Sequence, residues 1–271
     1  MNKKTSYLLL TTILVGLLAC SDAEDKIPEE AMGLELLNNA SSAAIAISDN
    51  YGARVAEDIL NSGGNAVDAA VATGFALAVT FIDAGNIGGG GFMTVKMDND
   101  IAFLDYREKA PLKAHKDMYL DAQGNVIDNI TLIGGQAAGV PGTVAGFWEA
   151  HKRFGKLPWN EVVKPAIDLA ANGFLPAPIL ADSIHSMEHR FDGKTNFNDY
   201  FNHINSSKVF KQPELAKTLA RIAEFGPDDF YRGKTAALIV EEMKRSNGLI
   251  SAEDLDQYSA VWREPVRANW R

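Results

Sequence analysis

The chain has 271 residues, of which 46% are hydrophobic and 23% are charged, values typical of a globular protein. Its formal net charge is −9, so the chain lacks the overall basic character on which most nucleic-acid binding depends, and we expect no nucleic-acid partner. It contains a single cysteine, Cys20, which excludes an intramolecular disulfide.

The first residues have the pattern of a secretory signal peptide. Met1–Lys4 is a short basic head, and Tyr7–Leu18 is an apolar run too short to span a bilayer. Leu17–Cys20 resembles a bacterial lipobox, in which the cysteine becomes the lipidated first residue of the mature chain. We therefore expect a membrane-anchored lipoprotein of the periplasm or cell surface, with Cys20 as the lipidation site. A plain signal peptide with an incidental cysteine is the alternative.

These features divide the chain into three parts. Residues 1–19 are predicted to form the signal peptide. Residues 20–39 are predicted to form the lipid-anchor tether, because Ser21–Glu30 is acidic and polar and contains a proline. Residues 40–271 form the predicted domain. A lipidated Cys20 would leave no free thiol, so cysteine catalysis is excluded in that case.

Hydrophobic spacing, capping residues and glycine stops predict the elements of the domain. The helix Ala66–Thr80 is apolar nearly all round, which indicates that it is buried. In chain order, the predicted elements are a strand at Ser42–Ser48, helices at Tyr51–Leu60 and Ala66–Thr80, a hairpin of Phe92–Met97 and Ile101–Tyr106, and helices at Thr143–Phe154, Trp159–Asn172, Pro176–His189, Pro213–Phe225, Phe230–Ser246 and Ser251–Tyr258.

A run of four glycines, Gly88, Gly89, Gly90 and Gly91, lies between the buried helix and the hairpin. A phosphate-binding loop requires Lys-Ser or Lys-Thr directly after its glycines, or a strand–glycine–helix order. Here Phe92 and Met93 follow the run, and the order is helix, glycines, strand. Phosphate binding is therefore disfavoured, and so is a free linker, which is not expected deep inside a fold.

Two other patterns could indicate chemistry. His185–His189 (HSMEH) matches the H-x-x-E-H zinc-protease pattern, but no third ligand is marked, and a solvated helix surface is the favoured interpretation. The paired carboxylates Asp228-Asp229 and Glu241-Glu242 are interpreted as solvated charges on helix surfaces. The sequence contains no Gly-x-Ser-x-Gly element, so a serine hydrolase of the α/β type has no support.

Arg107 follows the hairpin in the segment DYREKAP. It is interpreted as a surface residue, as an ion-pair partner of Asp105 or Glu108, or as a bidentate clamp on a carboxylate, for which guanidinium geometry is well suited. Spacing alone leaves these alternatives open.

Several multi-residue blocks follow one another along the domain. They are GGNAVDAAVATGFALAVT (Gly63–Thr80), AGNIGGGGFM (Ala84–Met93), DYREKAP (Asp105–Pro111), GVPGTVAGF (Gly139–Phe147), PAIDLAANGF (Pro165–Phe174), GPDDFYRG (Gly226–Gly233), GLISAEDLDQY (Gly248–Tyr258) and REP (Arg263–Pro265). In order and spacing they resemble the gamma-glutamyltranspeptidase family, from about Ala43 to the last residue.

The resemblance implies an α+β fold, the αββα sandwich of the N-terminal-nucleophile hydrolases. Such a precursor cleaves itself and frees a threonine, which acts as nucleophile with its own α-amine as base. The γ-glutamyl group of glutathione or a related amide passes to that threonine and then to water or an amino acid. The resemblance assigns the substrate's α-carboxylate to Arg107 and makes the glycine run a structural support behind the substrate pocket. We expect no cofactor and no metal.

The family's nucleophile belongs to a Thr-Thr-His-type block that this sequence does not contain, since Thr11-Thr12 lies in the signal peptide and precedes Ile13. The resemblance therefore implies the N-terminal part of the large subunit, with an incomplete sandwich. We expect the missing C-terminal part and small subunit as partners, no activity for this chain alone, and incomplete covering of the helix Ala66–Thr80.

Alternatives remain beside this interpretation. One is a cephalosporin-acylase-like relative, although Arg107 favours a glutamyl substrate. Another is a non-catalytic lipoprotein that binds γ-glutamyl compounds. A third is a zinc peptidase that uses His185 and His189.

Overall fold

The structure, a computed structural model, describes residues 43–270, and from Ile45 onward these residues belong to one compact unit. The predicted signal peptide, Cys20 and the tether lie outside the described residues. The helices are α1 (Asn50–Asn61), α2 (Ala66–Thr80), α3 (Thr143–Phe154), α4 (Trp159–Asn172), α5 (Pro178–Met187), α6 (Phe197–Phe201), α7 (Pro213–Phe225), α8 (Pro227–Tyr231), α9 (Lys234–Arg245) and α10 (Ala252–Asp256), and the strands are β1 (Phe92–Met97), β2 (Asp100–Asp105) and β3 (Val261–Arg263).

The three strands form one antiparallel sheet in the order β1-β2-β3. β1 and β2 make a hairpin in which Phe92 pairs with Asp105, and Asp98 at the turn has a φ of 51°. β3 comes from the far end of the chain and places Val261 opposite Asp105. The C-terminal segment is thereby brought beside the exit of β2, where Arg107 lies.

Helix α2 is the centre of the core. Its side-chain pattern has no polar stripe, and Asn65 caps it by accepting hydrogen bonds from the backbone N–H groups of Val67 and Asp68. The Phe75 ring packs edge-on against Phe147, with ring centroids 5.0 Å apart. Helices α1, α3 and α4 cover α2, so the incomplete covering expected from the sequence is not found.

Most predicted helices are confirmed. The bounds of α2, α3, α4 and α7 coincide with the predicted ones, and the capping box that joins Ser251 to Asp254 at the start of α10 is present. The common reason is local: each of these helices carries its apolar spacing and its end signals within its own residues. No helix within residues 43–270 is long and apolar enough to cross a bilayer.

Two predicted elements are wrong, the strand at Ser42–Ser48 and the single helix at Phe230–Ser246. Two others are shorter than predicted, α5 and also α10, which spans Ala252–Asp256 instead of Ser251–Tyr258. Residues 43–48 form no strand, because a strand needs a neighbour to pair with and no described strand lies beside them. The predicted helix Pro176–His189 begins instead at Pro178 and ends at Met187, followed by a 3-10 turn.

The predicted helix Phe230–Ser246 is two helices. α8 ends at Tyr231 and α9 begins at Lys234. At the break, Gly233 lies so close to Asp229 that an added Cβ would stand 2.7 Å from the Asp229 Cα atom. The Asp229 carboxylate then accepts the backbone N–H of Lys234 at 3.2 Å. A buried carboxylate thus starts a new helix where apolar spacing alone predicted continuity.

Candidate functional site

Arg107 lies just after β2, and its backbone is fixed on both sides. Its N–H donates to Oδ1 of Asp105 at 3.0 Å, and its carbonyl oxygen accepts from the hydroxyl of Tyr258 at 2.9 Å. Both backbone groups of this residue therefore have side-chain partners. The loop position of Arg107 is defined even though its side chain is 66% exposed.

Backbone pairs hold the loop on either side of Arg107. Tyr106 and Gly91 exchange two hydrogen bonds of 3.0 and 3.3 Å. Lys109 and Val140 do the same at 2.8 and 3.2 Å. The segment that carries Arg107 is thus joined to the glycine run on one side and to the approach of α3 on the other.

Among residues 43–270, the guanidinium of Arg107 is hydrogen-bonded to one side chain. Its Nε donates to Oε2 of Glu108 at 2.9 Å, and among residues 43–270 its two terminal nitrogens have no hydrogen-bond partner. An exposed ion pair of this kind stabilises the fold by about 1 kcal/mol or less. Glu108 therefore orients the guanidinium and leaves its paired terminal N–H groups facing solvent, the arrangement that binds a carboxylate.

Asp105 is engaged by a different arginine. Arg263, on β3, places its Nε 2.7 Å from Oδ2 of Asp105. The backbone N–H of Arg107 and then the side chain of Arg263 hold the pKa of Asp105 below its ordinary value. Of the two ion-pair partners that the sequence suggested for Arg107, the structure gives it Glu108.

Two stacked tyrosines lie behind the loop. The rings of Tyr231 and Tyr258 are nearly parallel, with an interplanar angle of 8° and centroids 5.6 Å apart. The Tyr231 hydroxyl donates to the carbonyl of Pro141 at 2.9 Å and accepts the N–H of Ala145 at 3.3 Å. Burial raises the pKa of both tyrosines, so both hydroxyls remain protonated donors at neutral pH.

The glycine run makes its closest backbone approach at Gly90. An added Cβ there would lie 2.5 Å from the carbonyl oxygen of Tyr106 and 2.7 Å from the backbone nitrogen of Glu108. At Gly88 an added Cβ would meet nothing within 4 Å. The requirement for glycine therefore comes from the loop that carries Arg107, and it applies to part of the run only.

Gly89 joins the run to the start of α3. Its carbonyl oxygen accepts the backbone N–H groups of Gly142 and Thr143 at 2.6 and 3.1 Å, which satisfies donors that a helix start leaves free. Its own N–H donates to Oδ1 of Asn86 at 2.7 Å. The N–H groups of Gly89 and Gly91 are thus already occupied, which also speaks against a phosphate cradle.

The HSMEH segment does not form one helical face. Helix α5 ends at Met187, and Glu188–Arg190 is a 3-10 turn, so His185 and His189 do not share a continuous α-helix. Both histidines are exposed. In the part of the chain that the structure describes, no group of three His, Cys, Asp or Glu residues could hold a metal ion.

The interpretation of Asp229 as a solvated charge is wrong. Its carboxylate is buried and accepts hydrogen bonds from Arg221 Nε at 3.2 Å and from the hydroxyl of Thr235. Its neighbour Asp228 has a side chain that is 76% exposed and pairs with Arg232. Adjacent residues on a helix point in different directions, so one of two identical carboxylates is in the core and the other is in solvent.

The sequence pointed to Arg107 as a candidate carboxylate-binding residue, which stays a prediction, and gave no indication of the residues that hold it. Tyr258 was singled out only as the end of a predicted helix and of a block of the family resemblance, and Arg263 only as the start of another such block. Each makes its contact across more than 150 positions, 151 from Tyr258 to Arg107 and 158 from Arg263 to Asp105. No periodicity encodes a contact of that range; the sequence signal available was their presence in blocks of the family resemblance.

The chain belongs to the gamma-glutamyltranspeptidase family, whose family model matches residues 52–271. The chain is 58% identical over 228 residues to the glutathione hydrolase proenzyme of Pseudomonas aeruginosa, a match that covers 84% of this chain and 41% of that protein. It is 44% identical over 238 residues to the glutathione hydrolase proenzyme of Escherichia coli, covering 86% of this chain and 41% of that protein.

Comparison with a solved structure shows that the fold is also that of the gamma-glutamyltranspeptidase family. The gamma-glutamyltranspeptidase from Pseudomonas nitroreducens complexed with L-DON matches with a TM-score of 0.83 and 58% identity, over 84% of this chain and 68% of that one. The predicted family and α+β fold class are confirmed. The chain spans 41% of the length of the two curated relatives.

Proposed function

We propose that the protein to which this chain belongs hydrolyses or transfers γ-glutamyl groups, with glutathione or another γ-glutamyl amide as donor. Family membership and the two relatives named glutathione hydrolase proenzyme support this proposal. Within this activity, the part assigned to the present chain is recognition of the donor through Arg107.

The observation that carries the assignment is the geometry of Arg107. Its backbone is fixed by Asp105 and Tyr258, while its guanidinium is two-thirds exposed. Glu108 engages Nε, so the terminal nitrogens point outward as a matched pair of donors. A fixed backbone and a planar guanidinium with exposed terminal N–H groups suit the α-carboxylate of a γ-glutamyl donor. Two parallel charge-assisted hydrogen bonds would define both the position and the orientation of that carboxylate.

The bond-breaking step is assigned to a threonine outside this chain, freed by autoprocessing. Its hydroxyl oxygen attacks the γ-carbonyl carbon of the donor, its α-amine takes the hydroxyl proton, and the amide nitrogen leaves after receiving that proton. Water or the amine of an acceptor amino acid then attacks the acyl-enzyme and restores the threonine. On this proposal the 271-residue chain alone binds the donor without turnover, and the part that carries the threonine is its partner.

The test is a steady-state comparison of three proteins expressed from the intact reading frame, with any codons that follow Arg271 included. Arg107→Lys keeps the positive charge and removes the planar guanidinium. The KM for glutathione should therefore rise by roughly 10- to 100-fold, which corresponds to the affinity expected from a bidentate charge-assisted contact. Arg54→Lys, at an exposed position of α1, is the matched control and should keep the wild-type KM.

Two outcomes would contradict the proposal. An unchanged KM in Arg107→Lys would remove the assigned contact. Binding of glutathione with no release of glutamate by the complete protein would favour the non-catalytic lipoprotein instead.

We also propose that the mature protein is held at a membrane by a lipid on Cys20, in the periplasm or at the cell surface. The basic head, the apolar run and Leu17–Cys20 support this. Labelled palmitate should be incorporated into the wild-type protein and not into Cys20→Ala. Equal labelling of the two would show that the lipid is not attached to Cys20, and no labelling of either would favour a plain signal peptide.

A further inference from the structure

Tyr258 reaches Arg107 from a distant part of the chain. It lies just after α10, and its hydroxyl donates to the Arg107 carbonyl oxygen at 2.9 Å. Its ring is buried against Tyr231, whose hydroxyl is itself bonded to the carbonyl of Pro141. Because the ring of Tyr231 is fixed, the ring of Tyr258 has little freedom to move. The Tyr258 hydroxyl therefore lies at a defined point against the loop that carries Arg107.

The space for this hydroxyl depends on a glycine. An added Cβ at Gly142 would lie 2.0 Å from the Tyr258 hydroxyl oxygen and 2.0 Å from the carbonyl oxygen of Tyr106. The start of α3 therefore has no room for a side chain where the tyrosine meets the loop. The close packing at this point joins three distant segments around one hydrogen bond.

Lys109 makes a second connection between the same two segments. Its Nζ lies 5.0 Å from the centre of the Tyr258 ring and donates to the carbonyl of Ser259 at 3.2 Å. A cation over an aromatic face is attracted to it, so the ring is held from the loop side as well. The loop and Tyr258 thus constrain each other at two positions, Arg107 and Lys109.

We propose that Tyr258 is a positioning residue for donor binding: by fixing the carbonyl oxygen of Arg107, it sets the direction in which the guanidinium leaves the backbone. This rests on the proposed function, in which Arg107 binds the donor's carboxylate. Asp105 fixes only the N–H side of the residue. Without the Tyr258 hydroxyl, the carbonyl group of Arg107 loses its side-chain partner, and the loop is held only at Tyr106 and Lys109 on either side of it. The guanidinium of Arg107 is then held less closely in one orientation.

The test uses the isotope-labelled 271-residue chain, with glutathione as the added ligand. NMR follows the Arg107 carbonyl carbon and the Arg107 Nε–H signal in the wild type, in Tyr258→Phe and in Tyr51→Phe. Tyr51→Phe is the matched control, since it also removes one hydrogen-bonded hydroxyl, at 3.0 Å from the N–H of Leu175 and away from the loop. All titrations are made well below the unfolding midpoint of each variant.

In Tyr258→Phe, the two Arg107 signals should shift or broaden, and the Kd for glutathione should rise by about 10-fold, within the range that misplacement of a binding group produces. Tyr51→Phe should keep the wild-type signals and Kd. A purely structural role for Tyr258 would lower the unfolding midpoint while leaving the Arg107 signals and the Kd unchanged, and that result would overturn the proposal.

The same experiment distinguishes failure of the proposed donor binding by Arg107 from failure of the positioning role of Tyr258. If the wild-type chain and Arg107→Lys respond alike to glutathione, the donor assignment is wrong, and the Arg107 signals of Tyr258→Phe still decide whether the tyrosine positions the arginine. If Tyr258→Phe does not fold, the wild-type chain decides: a slowly exchanging Tyr258 hydroxyl proton coupled to the Arg107 carbonyl carbon supports the proposal, and a freely exchanging one overturns it.

Discussion

Arg263 places its Nε 2.7 Å from Oδ2 of Asp105, so the last strand of the sheet is joined by an ion pair to the residue that fixes the N–H of Arg107. The pairing of β3 with β2 makes this contact possible, because it sets Val261 opposite Asp105 and leaves Arg263 within reach. The position of the candidate binding group therefore depends on a segment more than 150 residues away in sequence.

The first prediction concerns pH. The Arg107 N–H and the Arg263 side chain lower the pKa of Asp105 from its ordinary value near 3.8. A carboxylate whose folded-state pKa is lowered contributes stability that is present above the unfolded value and is lost as pH falls through the folded one. The free energy of unfolding should therefore fall below about pH 4, and less steeply in Asp105→Asn.

Urea unfolding at a series of pH values measures the slope of the free energy of unfolding against pH. Asp98→Asn is the control, since Asp98 is an exposed turn residue with a positive φ that asparagine adopts readily. It should keep more of the wild-type slope than Asp105→Asn. Identical slopes for the wild type and Asp105→Asn would show that Asp105 does not carry the effect.

The second prediction separates two adjacent carboxylates. Asp229→Ala leaves Arg221, Thr235 and the N–H of Lys234 without their shared acceptor, and should lower the free energy of unfolding by about 3 kcal/mol. Asp228→Ala removes only an exposed ion pair and should cost less than about 1 kcal/mol. Chemical denaturation of both variants is the measurement, and similar losses would contradict the distinction.

The third prediction concerns Asp68, a fully buried carboxylate in the first turn of α2. It accepts the backbone N–H of Asn65 at 2.9 Å and that of Lys156 at 3.0 Å, joining the start of α2 to the connection between α3 and α4. Asp68→Ala should lower the free energy of unfolding by about 3 kcal/mol, because buried donors lose their acceptor.

Asp68→Asn keeps one oxygen acceptor and should lose about half as much as the alanine variant. Asp58→Ala, at an exposed position on α1, should stay within about 0.5 kcal/mol of the wild type. Guanidinium unfolding monitored by circular dichroism compares all three. An alanine variant as stable as the control would mean that water replaces the carboxylate without cost.

The fourth prediction compares two members of the glycine run. Gly90→Ala places a methyl group 2.5 Å from the Tyr106 carbonyl oxygen, a backbone atom that cannot move aside cheaply, and should destabilise the protein by about 2 kcal/mol. Gly88→Ala meets open space and should change stability by less than about 1 kcal/mol. Thermal unfolding of the two variants measures the difference, and equal midpoints would contradict the close approach assigned to Gly90.

The family resemblance and the local elements were predictable from the sequence. Helices such as α2 and α7 carry their own apolar spacing and end signals, so their bounds follow from residues that are neighbours in the chain. Arg107 was identified through a motif, and the motif says which residue would meet a carboxylate without saying what holds it. The hairpin was likewise predictable, because its two strands and turn are consecutive.

The rest of the fold and of the candidate site depended on contacts between different elements. The break before α9 requires Asp229 to be buried, and its burial requires Arg221 from another helix. Residues 43–48 are mostly apolar and were predicted to form a strand, but no described strand lies beside them to supply hydrogen bonds. The sequence by itself determined the family, most helices and the identity of the candidate binding residue. Only the tertiary structure decided which charges are buried and what fixes Arg107. Both properties depend on side chains of different elements that meet in the fold, 8 positions apart for Asp229 and Arg221 and 151 apart for Tyr258 and Arg107, and such contacts leave no periodic pattern in the chain.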